Sequence, residues 1–159
     1  WMTRLSAIMN KLNSVAEHLS LMFMRPAPLQ YAALCYRRTG HGQEILLITS
    51  RGTGRWILPK GWSMKKKSGS GAAAREAYEE AGVVGQIGQQ PVGTFEYRKW
   101  LRGGLPVQCI VRVYPLEVER LEDEFPEKDQ RQRQWFSPQQ ASELVAEPQL
   151  QALIRRFCP

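Results

Sequence analysis

The sequence predicts an α/β fold, a sandwich of helices and one mixed β-sheet that follows an extra N-terminal helix. Strand-like segments come first, then a helix, further strands and finally more helices. The segment AAAREAYEEA, residues 72–81, is rich in strong helix formers and has no β-branched residue, so it is not one of the strands. At 159 residues, the chain has the length of one domain with one core.

Residues 4–23 carry apolar side chains at helical spacing, which predicts an amphipathic helix. Its apolar positions are Leu5, Ile8, Met9, Leu12, Val15, Ala16 and Leu19. Because its polar face is not strongly basic, we favour packing on the domain or on a partner chain over binding to a membrane surface. Pro26 and Pro28 then interrupt regular structure. The chain is therefore divided into an N-terminal helix and linker, residues 1–28, and a main domain, residues 29–159.

The first half of the main domain predicts a hairpin followed by a helix. Residues 31–37 and 44–50 are strand-like runs separated by the turn sequence RTGHGQ, which predicts a pair of adjacent strands. Residues 56–58 form a short extended piece. A helix follows over residues 70–81, and Gly82 stands where a left-handed C-terminal cap belongs.

The second half predicts a further antiparallel pair and two terminal helices. Residues 92–100 and 105–118 alternate well enough to form the pair. A charged loop then leads to a last short strand, QWFS, at residues 134–137. The segments PQQASELV and EPQLQALIRRF, residues 138–145 and 147–157, predict the helices.

The net charge of +7 is consistent either with a solvated basic surface or with an anionic partner. Nucleic acid, a phosphorylated metabolite and acidic lipid are all such partners, and composition does not choose between them. Cys35, Cys109 and Cys158 are far apart and form no CxxC motif, which predicts reduced thiols in a cytoplasmic protein. No apolar run is long enough to predict a membrane span.

Three glutamates of the predicted helix share one face. An α-helix advances about 100° per residue, so Glu79 and Glu80 lie on either side of Glu76. Ala74, Ala77, Tyr78 and Ala81 occupy the opposite face, which we expect to be buried. Like charges this close together raise the pKa of at least one carboxyl group unless a cation is near. The cluster therefore indicates a Mg²⁺ or Mn²⁺ site, and the alternative is an ordinary solvated helix face.

The residues around this cluster resemble the signature box of the Nudix hydrolases. Gly61, Arg75-Glu76, Glu79-Glu80 and Gly82-Val83 match the box in type and spacing. Lys67 stands where the first glutamate of the box belongs, and in the family that glutamate helps to organise the loop and can join the outer metal shell. The likeness covers residues 30–157 and implies a Nudix-type α/β/α sandwich.

The resemblance implies a metal-dependent hydrolase of pyrophosphate bonds. Glu79 and Glu80 resemble the main metal ligands, Glu76 a further ligand or the general base, and the Lys60 carbonyl an extra ligand. Arg75 would orient the carboxylates through Glu79. Glu127, in the acidic loop 122–129, is a candidate base or extra ligand, and a mobile solvated loop is the alternative.

Cationic side chains near the box predict a substrate with several phosphates. They are Arg51, Arg55, Lys60, Lys65, Lys66 and Lys67, and the alternative is a solubilising charge run. The resemblance favours a diphosphoinositol polyphosphate or a dinucleoside polyphosphate. Trp56 and Trp62 could stack on a base, although packing is the commoner role of tryptophan beside a turn.

A Nudix-fold binding module without catalysis is the alternative function. It would use its basic face for RNA or a regulatory phosphorylated ligand, and Lys67 is its best support. The three box glutamates count against it, because a binder of anions gains nothing from acids. Nucleic acid is therefore not the favoured partner, and the sequence leaves a homodimer open.

Overall fold

A computed structural model describes residues 12–13 and 27–159 of the chain. Leu12 and Asn13 are helical and exposed, and the rest of the predicted helix over residues 4–23 lies outside the described residues. The strands are β1 (Leu29–Thr39), β2 (Gly42–Thr49), β3 (Trp56–Ile57), β4 (Lys60–Trp62), β5 (Val83–Ile87), β6 (Gly93–Trp100), β7 (Pro106–Leu121) and β8 (Arg133–Phe136). The helices of residues 27–159 are α1 (Gly69–Ala81), α2 (Pro138–Leu144) and α3 (Pro148–Arg156).

The strands form one mixed sheet around β1 and β7. These two strands run parallel, with registers from Leu29↔Ile110 to Tyr36↔Glu117. On its other edge β1 pairs antiparallel with β4 and β2, and β2 pairs with β3 and β8. β7 pairs antiparallel with β6 and β5. Both hairpins predicted from the sequence are therefore confirmed.

Helices cover both faces of the sheet, which gives an α/β/α sandwich. Alternate residues of β1 point to opposite sides, as the two-residue repeat of a strand requires. Leu34 and Tyr36 pack with α2 and α3, while Ala33 and Cys35 pack with α1. Cys35 and Cys109 are buried and Cys158 is exposed, and none of the three forms a disulfide. Within the described part of the chain, no helix is both long and apolar enough to cross a membrane.

Two features of the fold differ from the sequence prediction. β4 and β5 were not predicted, because one has only three residues and the other follows directly after the helix cap. The buried face of α1 carries Ala73, Ala77, Glu80 and Ala81, whereas Tyr78 is exposed. Ala77 and Ala81 are buried as expected, but Ala73 packs with them against β1, so the helix is rotated toward Ala73 and Glu80 and away from Tyr78. One glutamate is consequently buried.

Candidate active site

A cleft of about 490 Å³ lies at the edge of the sheet that α1 covers. The turn after β2, strands β3, β4 and β6, helix α1 and the loop before β8 all contribute to it. Its charged lining residues are three acids, Glu76, Glu80 and Glu127, and five cations, Arg51, Arg55, Lys60, Lys99 and Arg131. The cleft thus combines the hard oxygen donors that a divalent ion prefers with cations suited to phosphate groups.

Helix α1 places Glu80 at the bottom of this cleft. Residues four apart lie on the same side of a helix, so Glu76 and Glu80 point into the same space. Glu80 is only 5 % exposed, and its Oε2 atom has no hydrogen-bond partner. Burial raises the pKa of Glu80 to about 8, while the nearby guanidinium of Arg131 acts in the opposite direction. A buried carboxylate with an unused oxygen is a suitable ligand for a cation.

Gly61 makes room for the carboxyl group of Glu76. A Cβ atom at position 61 would collide with both carboxyl oxygens of Glu76. Burial raises the pKa of Glu76, and a hydrogen bond with the Glu80 carboxyl group opposes that rise. Glycine is therefore required at position 61, because it allows the Glu76 carboxyl group to lie against β4 and beside Glu80.

Glu79 does not line the cleft with the other two glutamates. Its carboxylate pairs with Arg75 on the outer side of α1, at the spacing of one helical turn. The expected contact between Arg75 and Glu79 is therefore present, but the structure brings only two of the three box carboxylates together. Among residues 27–159 and 12–13, no three His, Cys, Asp or Glu side chains are grouped closely enough to hold a metal ion.

Glu127 and Arg131 approach the cleft from the loop before β8. The backbone N–H of Glu127 donates to the Glu79 carbonyl at 3.0 Å, which attaches this loop to α1. The Glu127 carboxylate lies 3.3 Å from Arg51 and 3.5 Å from Arg131. Arg131 is also 3.5 Å from Glu80. Glu127 was predicted, whereas Arg131 was missed: it is only four residues from Glu127, but its contact with Glu80 joins residues that are distant in sequence.

The predicted phosphate-binding cations divide into two groups. Arg51, Arg55 and Lys60 line the cleft. Lys65, Lys66 and Lys67 are exposed in the segment before α1 and do not line it, because the chain turns outward after β4. The Lys60 ammonium lies 4.9 Å from the centre of the Tyr97 ring, and burial lowers the pKa of Lys60.

The two tryptophans near the box have different surroundings. Trp56 packs edge-on against Phe136, with ring centres 5.0 Å apart, so it belongs to the core. Trp62 is 42 % exposed and lines the cleft. Its indole ring is covered by Lys99, whose ammonium lies 4.7 Å from the ring centre. Lys99, which sequence reasoning missed, therefore adds a further cation beside an aromatic surface.

The oxygen donors of the cleft suit a hard divalent cation such as Mg²⁺ or Mn²⁺ that is shared with a substrate. Both ions prefer oxygen ligands and are commonly held by a few carboxylates together with substrate phosphates. Glu76, Glu80 and Glu127 line the same cleft without forming a closed group of three, and the Oε2 atom of Glu80 has no hydrogen-bond partner. The cleft lacks a complete protein cage, which is consistent with an ion that also binds substrate and water.

Comparison with known proteins identifies the family. A family model described as NUDIX domain matches residues 28–157. The chain belongs to the Nudix family. This match confirms the resemblance that rested on Gly61 and the box from Arg75 to Val83.

Curated relatives carry hydrolase names. Human diphosphoinositol polyphosphate phosphohydrolase 3-alpha is 33 % identical over 116 residues, which are 72 % of this chain and 66 % of that protein. Arabidopsis thaliana mitochondrial Nudix hydrolase 13 is 32 % identical over 123 residues, 72 % of this chain and 59 % of that protein. This Nudix chain thus spans somewhat less than two thirds of the length of these relatives. Cytoplasmic localisation stays a prediction.

Solved structures confirm the Nudix fold. The Caenorhabditis elegans Ap4A hydrolase superposes with a TM-score of 0.59 at 19 % identity, covering 83 % of this chain and 96 % of that one. The NUDIX domain of Shewanella oneidensis NrtR, solved with ADP ribose, gives a TM-score of 0.62 at 16 % identity, covering 88 % and 96 %. At these identities the likeness concerns the fold, and it confirms the predicted α/β/α sandwich.

Proposed function

We propose that this Nudix chain is a Mg²⁺- or Mn²⁺-dependent hydrolase that cleaves a pyrophosphate bond in a small polyphosphorylated molecule. The observation that carries the proposal is the adjacent pair of carboxyl groups of half-buried Glu76 and buried Glu80, in a cleft lined by five cations. The names of the relatives support a diphosphoinositol polyphosphate or a dinucleoside polyphosphate as substrate.

Glu76, Glu79, Glu80 and the Lys60 carbonyl are the groups that we propose to hold the metal. A bound divalent ion supplies charge neutralisation and a water of lowered pKa. Glu79 would have to exchange its contact with Arg75 for this role, whereas Glu76 and Glu80 already face the cleft.

The chain's own residues bind the substrate and accept the proton. Arg51, Arg55, Lys60 and Lys99 hold the phosphates that do not react. Glu127, whose carboxylate is held by Arg51 and Arg131, accepts the proton of the attacking water. The water oxygen forms a bond to one phosphorus, the anhydride P–O bond breaks, and the leaving phosphate keeps the electron pair.

A hydrolysis screen tests this proposal. Nucleotide, dinucleotide, sugar-nucleotide and inositol pyrophosphates are incubated with the protein, with and without Mg²⁺ or Mn²⁺. We expect product from at least one substrate, only with metal, and a loss of at least about 100-fold in Glu80→Gln. Glu143→Gln, on the exposed side of α2, has the same charge change and should retain full activity. Absence of product from every substrate, or full activity in Glu80→Gln, would refute the proposal.

A binding module without catalysis remains the second candidate. It is favoured by the guanidinium of Arg131, a cation that already lies beside Glu80 and Glu127, and by Lys67 in place of the box glutamate. Binding of RNA or a phosphorylated ligand that persists in EDTA, weakens steeply with salt and gives no product would support this function.

A further inference from the structure

Arg131 is a buried cation between two carboxylates of the cleft. Its side chain is 8 % exposed, and its Nη2 atom lies 3.5 Å from both Glu80 Oε2 and Glu127 Oε1. Its Nη1 atom donates to the Thr49 carbonyl at 3.1 Å, which fixes the guanidinium to the end of β2. The box residues do not include this arginine, and the function proposed above explains its contact with Glu127 but not its contact with Glu80.

Arg131 offsets the negative charge of Glu80 and Glu127, but its guanidinium and the Glu80 carboxyl group still have unused hydrogen-bonding atoms. Charge-assisted N–H···O bonds are typically about 2.7–2.9 Å long, shorter than the contacts of Arg131 with both carboxylates. The Nε atom of Arg131 and the Oε2 atom of Glu80 are both buried and both lack a hydrogen-bond partner. A second cation could therefore bind Glu80 more closely than the guanidinium does.

Removal of the guanidinium would take away the cation that contacts the buried Glu80 carboxyl group, whereas Glu127 would keep its contact with Arg51. Keeping a buried carboxylate ionised without a nearby cation is costly, so the guanidinium favours the ionised form of Glu80 in the metal-free protein. The guanidinium and a divalent ion are both attracted to the same carboxylate oxygens and repel each other. Each therefore weakens the binding of the other.

We propose that Arg131 is the internal counter-ion of the metal-free cleft, and that a divalent cation binds Glu80 in exchange for its guanidinium. The proposal rests on the metal dependence proposed above. The hydrogen bond to the Thr49 carbonyl keeps the arginine in the cleft after the exchange. Arg131 is thus a positioning residue that stabilises the metal-free fold and lowers metal affinity.

Metal binding by Arg131→Gln tests the exchange. Mn²⁺ is titrated calorimetrically into wild type, Arg131→Gln and Arg155→Gln, an exposed control with the same charge change. We expect Arg131→Gln to bind Mn²⁺ about tenfold more tightly, the size of a coupling between neighbouring charges, and to have a lower Tm in EDTA. The control should match wild type. A purely structural arginine would lower the Tm equally with and without Mn²⁺ and leave the affinity unchanged.

A second measurement uses the wild-type protein and does not depend on the stability of Arg131→Gln. The side-chain Nε–H signal of Arg131, assigned by its loss in Arg131→Lys, is followed by NMR during a Mg²⁺ titration. We expect it to shift at the Mg²⁺ concentration that half-saturates the protein. An unshifted signal, or unchanged or weaker Mn²⁺ affinity in Arg131→Gln, would overturn the exchange alone. If wild type bound no divalent ion, the proposed function would fail as well.

Discussion

At the scale of single residues, the cleft depends on how closely the Glu76 carboxyl group approaches β4. Gly61 permits that approach, because any side chain at this position would occupy the space of the carboxyl oxygens. Gly52 also lines the cleft, but a Cβ atom there would have no neighbour within 4 Å. A side chain is therefore excluded at position 61 but tolerated at position 52, although both glycines border the cleft.

We predict that Gly61→Ala lowers hydrolytic activity about 100-fold, because a displacement of about 1 Å in a reacting group has an effect of this size. The Glu76 side chain can move away from the new methyl group, so the Tm should fall only slightly. Steady-state kinetics and thermal melting measure the two effects. Gly52→Ala is the matched control and should keep both properties. Equal activity of the two variants would contradict the assigned role of Gly61.

The cleft could be predicted from the sequence only where its residues are close along the chain. Gly61, Glu76 and Glu80 belong to one local motif whose helix spacing determines their geometry. Lys99 reaches the same cleft through sheet pairing, and the contact of Arg131 with Glu80 joins residues far apart in the sequence, so no local pattern places either cation beside the box glutamates. The rotation of α1, which buries Glu80 and exposes Tyr78, depends on how the helix packs against β1. The spacing of the three glutamates gives no information about that packing.

At the scale of elements, helix α1 is defined by its two caps. The Ser68 hydroxyl accepts the Gly71 N–H at the N-terminus, and Gly82 ends the helix with a φ of 66°. Gly82 was recognisable from the sequence because glycine after a run of helix formers is the usual left-handed cap. Strands β4 and β5 were not recognisable, since three and five residues are too few for a periodic pattern.

We predict that Ser68→Ala lowers the free energy of unfolding by about 1 kcal/mol, the usual value of a lost N-cap. The Gly71 N–H would lose its acceptor, and the first turn of α1 would be less stable. Ser63→Ala is the control, because Ser63 is exposed and caps no helix. Urea denaturation measures both variants, and equal midpoints would contradict the capping role.

We predict that Gly82→Ala is more destabilising than Gly54→Ala. Both glycines have a left-handed backbone, with φ values of 66° and 65°, so alanine is strained by about 1 kcal/mol at either position. Only at Gly82 would the new methyl group also collide with Phe125, Arg133 and the Glu122 carbonyl. The difference between the two unfolding free energies therefore measures the crowding at the end of α1. Equal losses would show that the surrounding loop can adjust.

At the scale of the whole molecule, the cations near the box fall into two sets, one that lines the cleft and one that lies outside it. The chain has a net charge of +7, and five cations line a space that also contains three acids. The lysines at positions 65–67 add charge outside that space. If direct contacts hold a polyphosphate, its binding should depend on the cations that line the cleft. If long-range attraction dominates, the exposed lysines should contribute as well.

We therefore predict that Arg51→Gln/Arg55→Gln raises KM for a polyphosphorylated substrate at least about tenfold, because hydrogen bonds to charged groups are lost. Lys65→Gln/Lys66→Gln removes the same charge from the exposed segment and should change KM less than about twofold at physiological salt, where charges beyond about 8 Å are screened. Both double variants are compared with wild type over a salt series. Equal increases in KM would show that the net field, and not contact within the cleft, attracts the substrate.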